Sequence, residues 1–331
     1  PVVAVSAFNH PLNLIVHQVA PAVATGCPVI VKPASDTPLS CFEFIDILHE
    51  AGLPKEWAKA VAPSRDASEK MVTDPRVAFF TFIGSAGVGW GLRSKLSPGT
   101  RCALEHGGVA PVIVDASADL DAAVPSLMKG GFYHSGQVCV SVQRIFAHSS
   151  VVDELSSRMA EAAKKLKVGN AIDEDTECGP LIRPAETDRV AEWVEEAREA
   201  GAKVLCGGEK LSDTTYAPTV LLDPPADVKV STHEVFGPVV CFYSYDDVDA
   251  AIAQANSLDV SFQAAVFTND LAGAMHTFRN INASAVMVND HSAFRVDWMP
   301  FAGLKTSGHG VGGIPYTMHE MTIEKMIVIK A

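Results

Sequence analysis

The chain is short of basic residues and of long apolar runs. Lysine and arginine together number 26, against 39 aspartate and glutamate residues, so the formal net charge is −13 at pH 7. This balance disfavours nucleic acid or an anionic membrane surface as a partner, since both attract positive charge. No apolar run reaches the roughly 20 residues of a membrane span, and no basic-then-apolar leader opens the sequence. We therefore expect a soluble, cytoplasmic protein with a small-molecule partner.

Paired cysteines are also missing. Seven cysteines are scattered without a Cys-x-x-Cys pair, which disfavours a disulfide scaffold or a zinc site and favours reduced thiols with no bound metal. Most are expected to pack as small apolar side chains. Cys139 differs because it follows Ser135-Gly136-Gln137-Val138, a polar segment whose glycine lets the backbone approach a ligand closely. That context alone does not separate a nucleophile from a packing cysteine.

The first third of the chain alternates short β-rich runs with helical stretches. With 331 residues and 48% hydrophobic content, the chain should divide into about two domains. The alternation is typical of βαβ units around a mostly parallel sheet. Strands are predicted over residues 2–7, 28–32, 57–62, 77–83 and 101–104, and helices over 17–25 and 38–50. Thr37 is the expected N-cap of the second helix, and Gly26 and Gly52 are the expected stops.

The second half repeats this pattern with longer helices. Helices are expected over 152–166 and 186–200, and strand-like runs cover 264–268 and 285–289, which indicates a second α/β domain. A glycine-rich stretch over 303–313 precedes a last helix and a short apolar strand over 325–330. That strand either pairs with another subunit or lies at an edge of the chain's own sheet.

Five further segments accompany the cysteine segment in a fixed order along the chain. They are Phe8-Asn9-His10-Pro11-Leu12, Lys32-Pro33-Ala34-Ser35, Leu104-Glu105-His106-Gly107-Gly108, Glu234-Val235-Phe236-Gly237-Pro238, and Pro300-Phe301-Ala302-Gly303-Leu304-Lys305-Thr306-Ser307-Gly308. Each motif alone is weak, but all six in order resemble the aldehyde dehydrogenase superfamily from residue 1 to the end. The resemblance implies an α/β fold with two Rossmann-like domains. It assigns 1–104 to NAD(P) binding, 105–305 to catalysis, and 306–331 to a C-terminal helix and oligomerisation strand.

The resemblance implies a covalent mechanism. Cys139 would add to the aldehyde, and the amide of Asn9 with the backbone N–H of Cys139 would form the oxyanion hole. Glu105 resembles the base that activates water to hydrolyse the thioester. The simpler alternatives are a helix N-cap for Asn9 and a surface glutamate at a strand end for Glu105. Relatives that pass the acyl group to coenzyme A typically lack a carboxylate at this place, so Glu105 favours a free acid product.

The resemblance also assigns cofactor residues. No Gly-x-Gly-x-x-Gly follows a strand, but the family binds dinucleotides without it. Lys32 and Ser35 are expected to contact the adenosine ribose, and Gly84 and Ser85, at a strand-to-helix turn, the pyrophosphate. Glu234, with Phe236 nearby, is expected to hold the nicotinamide ribose. A solvated strand-end lysine and a core phenylalanine are the simpler alternatives. Serine at 35 removes the 2′-phosphate repulsion of the glutamate common in NAD-preferring relatives, but Asp36 is negative. We expect NAD or NADP, with a slight preference for NAD.

Five positions align with the aldehyde tunnel of relatives: Leu14, His17, Tyr133, Arg295 and Phe301. His17 and Arg295 indicate a small hydroxylated or anionic aldehyde, as in the lactaldehyde and phosphonoacetaldehyde branch. The alternative for Arg295 is an ion pair with Asp297 or Asp290.

Some positions depart from the family pattern. His106 and Val109 stand where many members have leucine and lysine, and Ala302 replaces a common glycine. Two rival functions remain, a coenzyme A-acylating dehydrogenase and a catalytically silent structural or binding relative; the set of catalytic residues argues against silence. The resemblance implies a homodimer or homotetramer. It also implies an N-terminal stretch before Pro1, so we expect the sequence to be an excerpt whose first strand would otherwise expose apolar surface.

Overall fold

The computed structural model describes residues 1–330, which pack as two α/β units. Unit 1 contains Pro1–His106, Val296–Ala302 and the residues from Gly308 onward; unit 2 contains Gly107–Arg295 and Gly303–Ser307. Ala331, the last residue of the predicted C-terminal segment, lies outside the described residues. The α/β class predicted from the sequence is confirmed. Among the described residues, no helix is both long and apolar enough to cross a membrane.

Unit 1 is built on a six-stranded sheet. Its strands are β1 Val2–Val5, β2 Val29–Lys32, β3 Ala58–Ala60, β4 Phe79–Ile83, β5 Arg101–Glu105 and, from the end of the chain, β15 Gly308–His309. Its helices are α1 Asn13–Ala24, α2 Leu39–Glu50, α3 Arg65–Val72, α4 Ala86–Arg93 and α11 Ile314–Glu320. The strand order is β15-β5-β4-β1-β2-β3, with β1 to β5 parallel and β15 antiparallel to β5.

The apolar runs of unit 1 explain its sheet. Val2, Val3 and Ala4 of β1 are at most 2% exposed, since a parallel strand covered on both faces has no polar side to alternate with. Helix α1 packs Ile15, Val19 and Ala22 onto the same core as β1, because residues four and seven positions apart share one helix face. The strand order reverses beside β1, and such a reversal opens a crevice at the carboxyl edge of a parallel sheet.

Unit 2 holds a seven-stranded sheet and a short two-stranded one. The strands are β6 Pro111–Val114, β7 Arg144–His148, β8 Lys203–Cys206, β9 Thr219–Leu222, β10 Val239–Tyr245, β11 Val260–Ser261, β12 Gln263–Phe267, β13 Ala285–Val288 and β14 Leu304–Lys305. The helices are α5 Leu120–Phe132, a 3-10 turn Tyr133–Gly136, α6 Val152–Ala163, α7 Pro184–Glu199, α8 Lys229–Thr232, α9 Val248–Ala255 and α10 Leu271–Asn280. The large sheet has the order β13-β12-β6-β7-β10-β9-β8, and β11 pairs with β14. All neighbours in the large sheet run parallel except β8 and β9.

Besides shifts of up to three residues at the ends of other elements, three local predictions differ from the structure. Helix α1 begins at Asn13, four residues before the predicted start. The Thr37 hydroxyl donates to the carbonyl of Phe8 at 3.4 Å, and α2 begins at Leu39 without a side-chain cap, so the predicted N-cap is wrong. Residues 322–330 form no strand within the chain, and Ile327 and Ile329 are each 80% exposed. The alternative that this segment edges the chain's own sheet is therefore wrong; a strand completed by a second chain stays a prediction.

Candidate active site

Four of the predicted site residues of unit 1 lie at one edge of its sheet. Lys32 and Glu105 end β2 and β5, while Asn9 and Gly84 follow β1 and β4. Since these strands are parallel, their carboxyl ends meet at the same edge, where the strand order also reverses. Asn9 is not the N-cap of α1, because the helix begins at Asn13 with Leu12 as the capping residue. The N-cap alternative for Asn9 is therefore wrong.

The turn after β4 is tied to the end of β5. Gly84 has a φ of +158°, and a Cβ there would lie 2.9 Å from the Phe82 ring. The Gly84 N–H donates to the carbonyl of Glu105 at 3.0 Å. Ser85 takes the N-cap position of α4, so the turn leads directly into the N-terminus of that helix. Backbone N–H groups at such a terminus suit a phosphate group.

His106 lies next to Glu105 and links the end of β5 to the turn after β4. Its side chain is buried at 3% exposure between the rings of Phe82 and Trp90. Burial lowers the pKa of His106, so the ring is neutral at pH 7 and its Nδ1–H donates to the carbonyl of Gly84 at 2.8 Å. A Cβ at Gly89 of α4 would lie 2.1 Å from this ring. The histidine thus links the Gly84 turn to the strand that ends at Glu105. In the sequence, only Gly89, a glycine inside a short helix, indicates that a side chain packs against α4 at this point.

The remaining cofactor candidates of unit 1 sit at the end of β2. Lys32 donates from Nζ to the carbonyl of Pro33 at 3.1 Å, and burial lowers the pKa of Lys32. Ser35 is exposed in the turn that follows. Both side chains are therefore on a strand end and turn where a ligand at the sheet edge could reach them.

The segment before Cys139 in unit 2 has an unusual backbone. His134, Ser135 and Gly136 have φ values of +49°, +56° and +71°, so three consecutive residues are left-handed. Two of them carry side chains, and each such residue costs about 1–3 kcal/mol unless its surroundings hold it. Strained backbone of this kind concentrates at functional sites.

A distant segment holds this strained backbone in place. The Ser135 hydroxyl donates to the carbonyl of Gly179 at 2.6 Å and accepts from the Cys178 thiol at 3.4 Å. The Gln137 amide donates to the carbonyl of Pro180 at 3.3 Å and accepts from the Ile182 N–H at 3.0 Å. These bonds fix the direction in which the chain enters Cys139.

Cys139 is partly exposed between the buried Val138 and Val140. Five of the other six cysteines have a pKa raised by burial, which keeps them as thiols; they are Cys41, Cys102, Cys178, Cys206 and Cys241. Burial also raises the pKa of Tyr133, and the charge of the neighbouring Cys139 raises it further.

Two glycines bring the Glu234 carboxylate and the Cys139 backbone together. A Cβ at Gly107 would lie 1.9 Å from Glu234 Oε2, so the carboxylate fills the space that a side chain would take. The Gly108 N–H donates to Glu234, and a Cβ at Gly108 would lie 3.7 Å from the carbonyl of Cys139. Burial raises the pKa of Glu234 to about 8, although Gly108 and the charge of Arg189 lower it. Phe236, two residues on, has a φ of +48°.

The predicted pocket residues fall in both units. In unit 1, Leu14 and His17 lie on α1, and His17 Nε2 is 3.0 Å from Asp297 Oδ1. Phe301 exchanges two backbone hydrogen bonds with Gly312, of 3.0 and 2.7 Å. In unit 2, Tyr133 and Arg295 lie before Cys139 and after β13.

The sites of the two units differ in where they sit on their sheets. In unit 1 the site residues follow their strands, whereas in unit 2 Gly107, Cys139 and Glu234 each precede a strand of the large sheet. Unit 1 gathers an amide, a lysine and a carboxylate; unit 2 gathers a thiol and a second carboxylate. No cluster of three or more histidine, cysteine or acidic side chains suited to a metal occurs in the part of the chain that the structure describes.

Comparisons with known proteins found a matching family and similar proteins. The aldehyde dehydrogenase family model matches residues 1–327. The 3-sulfolactaldehyde dehydrogenase of Priestia aryabhattai is 41% identical over 329 residues, which cover 99% of this chain and 69% of that protein.

Two solved structures share the fold. One is aldehyde dehydrogenase 21 from Physcomitrella patens in complex with its reaction product succinate, with a TM-score of 0.93 and 38% identity, covering 97% of this chain and 67% of that one. The other is glyceraldehyde-3-phosphate dehydrogenase from Methanocaldococcus jannaschii complexed with NADP, with a TM-score of 0.92 and 36% identity, covering 97% and 71%. The predicted fold is confirmed.

Proposed function

The chain belongs to the aldehyde dehydrogenase family, and on this basis we propose that it oxidises a small anionic aldehyde to its carboxylic acid with NAD or NADP. The observation that carries the proposal is the partly exposed Cys139, which follows a left-handed backbone anchored by Gly179 and Pro180. A nucleophile needs such a fixed approach, because holding the reacting atoms in a near-attack geometry removes much of the barrier.

The protein's own groups would divide the chemistry as follows. The Cys139 thiolate forms a bond to the aldehyde carbon, and the carbonyl oxygen becomes an oxyanion that accepts from the Asn9 amide and the Cys139 N–H. Removing one such donor typically costs about 2.7–4 kcal/mol of barrier. After oxidation the acyl group is a thioester on Cys139, and the Glu105 carboxylate takes a proton from the water that hydrolyses it.

One observation supports the proposal that the cofactor candidates bind a dinucleotide. Glu234 Oε1 is buried and has no hydrogen-bond partner among the described residues, and a buried acceptor of this kind suits a ribose hydroxyl. We propose that Glu234 and Phe236 hold the nicotinamide ribose, Gly84 and Ser85 the pyrophosphate, and Lys32 with Ser35 the adenosine ribose. When bound, NAD(P) supplies the group that accepts a hydride from the aldehyde carbon.

The preference between the two cofactors rests on the turn after β2. Ser35 is exposed there and brings no negative charge of its own, whereas the adjacent Asp36 does. A carboxylate near the ribose opposes a 2′-phosphate. We therefore propose a slight preference for NAD.

An anionic substrate is favoured by the pocket and by the relatives. His17 is buried on α1, and its Nε2 lies 3.0 Å from Asp297 Oδ1, which holds the imidazole in one orientation. In the proposed pocket the guanidinium of Arg295 would offer the donors to an anion. Leu14, Tyr133 and Phe301 complete the proposed pocket. The three similar proteins act on 3-sulfolactaldehyde, release succinate or oxidise glyceraldehyde 3-phosphate, and each of these molecules carries an anionic group.

Formation of reduced cofactor by the protein with short aldehydes, with and without a terminal sulfonate, phosphate or carboxylate, tests this function. Cys139→Ala should abolish turnover, and Glu105→Gln should lower kcat by roughly 10²–10⁴-fold, the usual contribution of a general base. Cys102→Ala is the matched control, since this thiol is also partly exposed, and it should leave activity unchanged.

Three outcomes would contradict the proposal. Activity that survives Cys139→Ala removes the covalent mechanism. A requirement for coenzyme A makes the protein an acylating dehydrogenase, and no activity with any aldehyde favours a silent binding relative. Long apolar aldehydes with the highest kcat/KM would overturn the anionic substrate.

Assembly and location are further parts of the proposal. We propose a homodimer or homotetramer, because residues 322–330 present an apolar segment that forms no strand within the chain. We also propose that the protein works in the cytoplasm, since none of its seven cysteines forms a disulfide.

A further inference from the structure

A glycine in unit 1 lies against the carboxylate of Glu105. Gly312 is buried and follows β15, whose Gly308 pairs with Glu105 on β5. A Cβ at Gly312 would lie 2.0 Å from Glu105 Oε1 and 3.1 Å from Cδ. Ordinary contact between such atoms begins beyond about 3.4 Å, because interiors are close-packed. The Glu105 carboxylate therefore occupies the volume that any side chain at position 312 would need.

Backbone geometry does not explain why this residue is a glycine. Its neighbours Gly310 and Gly313 have φ values of +79° and +95°, whereas Gly312 does not have a positive φ. A residue without a positive φ does not need glycine for that reason. The space taken by the Glu105 carboxylate, together with the Phe301 carbonyl 3.0 Å from the same Cβ position, is the reason for glycine that the structure offers.

The same glycine holds a pocket residue. The Phe301 N–H donates to the carbonyl of Gly312 at 3.0 Å, and the Gly312 N–H donates to the carbonyl of Phe301 at 2.7 Å. Phe301 is 4% exposed. Gly312 therefore lies against two proposed site residues. The carboxylate of Glu105, the proposed base, fills the position that a Cβ would take, and Phe301, a proposed pocket residue, is hydrogen-bonded to the backbone of Gly312.

We propose that Gly312 is a positioning residue that sets the resting place of the Glu105 carboxylate for thioester hydrolysis. This inference rests on the proposed roles of Glu105 and Cys139. In the step concerned, the water oxygen bonds to the thioester carbon and its proton passes to Glu105. The C–S bond breaks, and its electron pair returns to the sulfur of Cys139. A carboxylate moved from its place loses hydrogen-bond reach to that water.

Gly312→Ala should move the Glu105 side chain without moving the backbone around it. The added methyl group would overlap most strongly with a carboxylate oxygen at 2.0 Å, and less with the Phe301 carbonyl at 3.0 Å. The carboxylate is the end of a flexible side chain, so it should rotate away while the fold survives. Failure of Gly312→Ala to fold would contradict this expectation.

Rapid mixing of the full enzyme with aldehyde and cofactor gives the decisive readout. If hydrolysis is slowed, reduced cofactor should appear in a burst of about one equivalent per site, because the acyl-enzyme accumulates. We expect Gly312→Ala to lower steady-state turnover by about 10- to 100-fold, part of the full 10²–10⁴ of a general base, while the burst rate stays near that of the wild type.

Two further variants make failures distinguishable. Gly91→Ala is the control, because a Cβ there meets nothing within 4 Å, and it should behave as wild type. Glu105→Gln should show the burst, and adding Gly312→Ala to it should have no further effect on hydrolysis if both act through one carboxylate. Absence of a burst in Glu105→Gln refutes the proposed function of Glu105. If Glu105→Gln shows the burst but Gly312→Ala turns over at the wild-type rate, only the role of Gly312 is refuted. The same conclusion follows if the losses of hydrolysis rate in the two single variants add in the double variant.

Discussion

At the scale of single residues, burial changes what the Glu234 carboxyl can do. Burial raises the pKa of Glu234 to about 8, so the group is mostly protonated at pH 7 and ionised above pH 8. Its Oε1 is the buried atom proposed to accept from a ribose hydroxyl. A charged acceptor makes a stronger hydrogen bond than a neutral one, by roughly 1 kcal/mol. Deprotonation should therefore tighten cofactor binding.

A difference of about 1 kcal/mol is a factor of about five between the fully protonated and the fully ionised carboxyl. Since the pKa of Glu234 is about 8, the dissociation constant of NAD should fall about three- to fourfold as the pH rises from about 7 to about 9. Fluorescence titration of the protein with cofactor measures it without turnover. Glu234→Gln keeps a neutral side chain at every pH, so its affinity should not vary over this range. A wild-type constant that stays flat, or a Gln variant that follows the wild type, would show that Glu234 does not face the ribose.

Individual site residues differ in how far they could be predicted. Asn9, Glu105 and Cys139 carry motifs that can be recognised in the sequence, although their roles stay predictions. The contact between Gly312 and Glu105 could not be predicted, because it joins positions far apart in the chain. It is visible only in the structure, where the carboxylate lies in the position that a Cβ of residue 312 would take. His106 could be recognised as a departure from the family pattern, but its contacts could not be predicted, because they come from Gly84, Gly89 and Trp90 and not from its sequence neighbours.

At the scale of elements, the segment before Cys139 depends on one buried hydroxyl. Ser135 is 1% exposed and donates to the carbonyl of Gly179 at 2.6 Å. Ser135→Ala would leave that carbonyl and the Cys178 thiol without this partner and should cost about 1–3 kcal/mol of unfolding free energy. The left-handed backbone should then relax, so kcat should also fall while the affinity for cofactor stays the same.

Urea unfolding and steady-state kinetics measure the two effects together. Ser257→Ala is the matched control, since its exposed hydroxyl donates to the carbonyl of Gln254 at 2.8 Å, and its stability should change by less than about 0.5 kcal/mol. If Ser135→Ala unfolds and turns over as the control does, the hydroxyl does not hold the segment.

The elements that could be predicted are those whose burial is visible in their own sequence. Strands β2, β4 and β5 could be predicted to within two residues, because a parallel strand buried on both faces is a continuous apolar run. The start of α1 could not, since its first residue, Asn13, is exposed and polar and gives no apolar period. The left-handed residues before Cys139 are set by bonds to Gly179 and Pro180, which no local propensity reports.

At the scale of the whole molecule, the end of the described chain presents apolar side chains to solvent. Ile323, Met326, Ile327, Val328 and Ile329 are between 79% and 85% exposed, and residues 322–330 form no strand. Monomeric proteins rarely expose such a contiguous run, and an extended segment of this kind can add as a strand to the edge of another sheet. We therefore expect the segment to be buried against a second copy.

Deleting residues 322–331 should lower the oligomeric state, as measured by light scattering after size-exclusion chromatography. The expected result is a dimer or tetramer for the starting chain and a smaller species for the truncated one, because the strand supplies backbone hydrogen bonds that no side chain replaces. Leu39→Ser removes one exposed apolar side chain, 79% exposed on α2, and should leave the assembly unchanged. A starting chain that is already monomeric, or a truncation that changes nothing, would leave the exposed segment without a role in assembly. Retained cofactor affinity in the smaller species would separate assembly from binding, since both residues that frame the proposed pyrophosphate turn, Gly84 and Ser85, lie within unit 1.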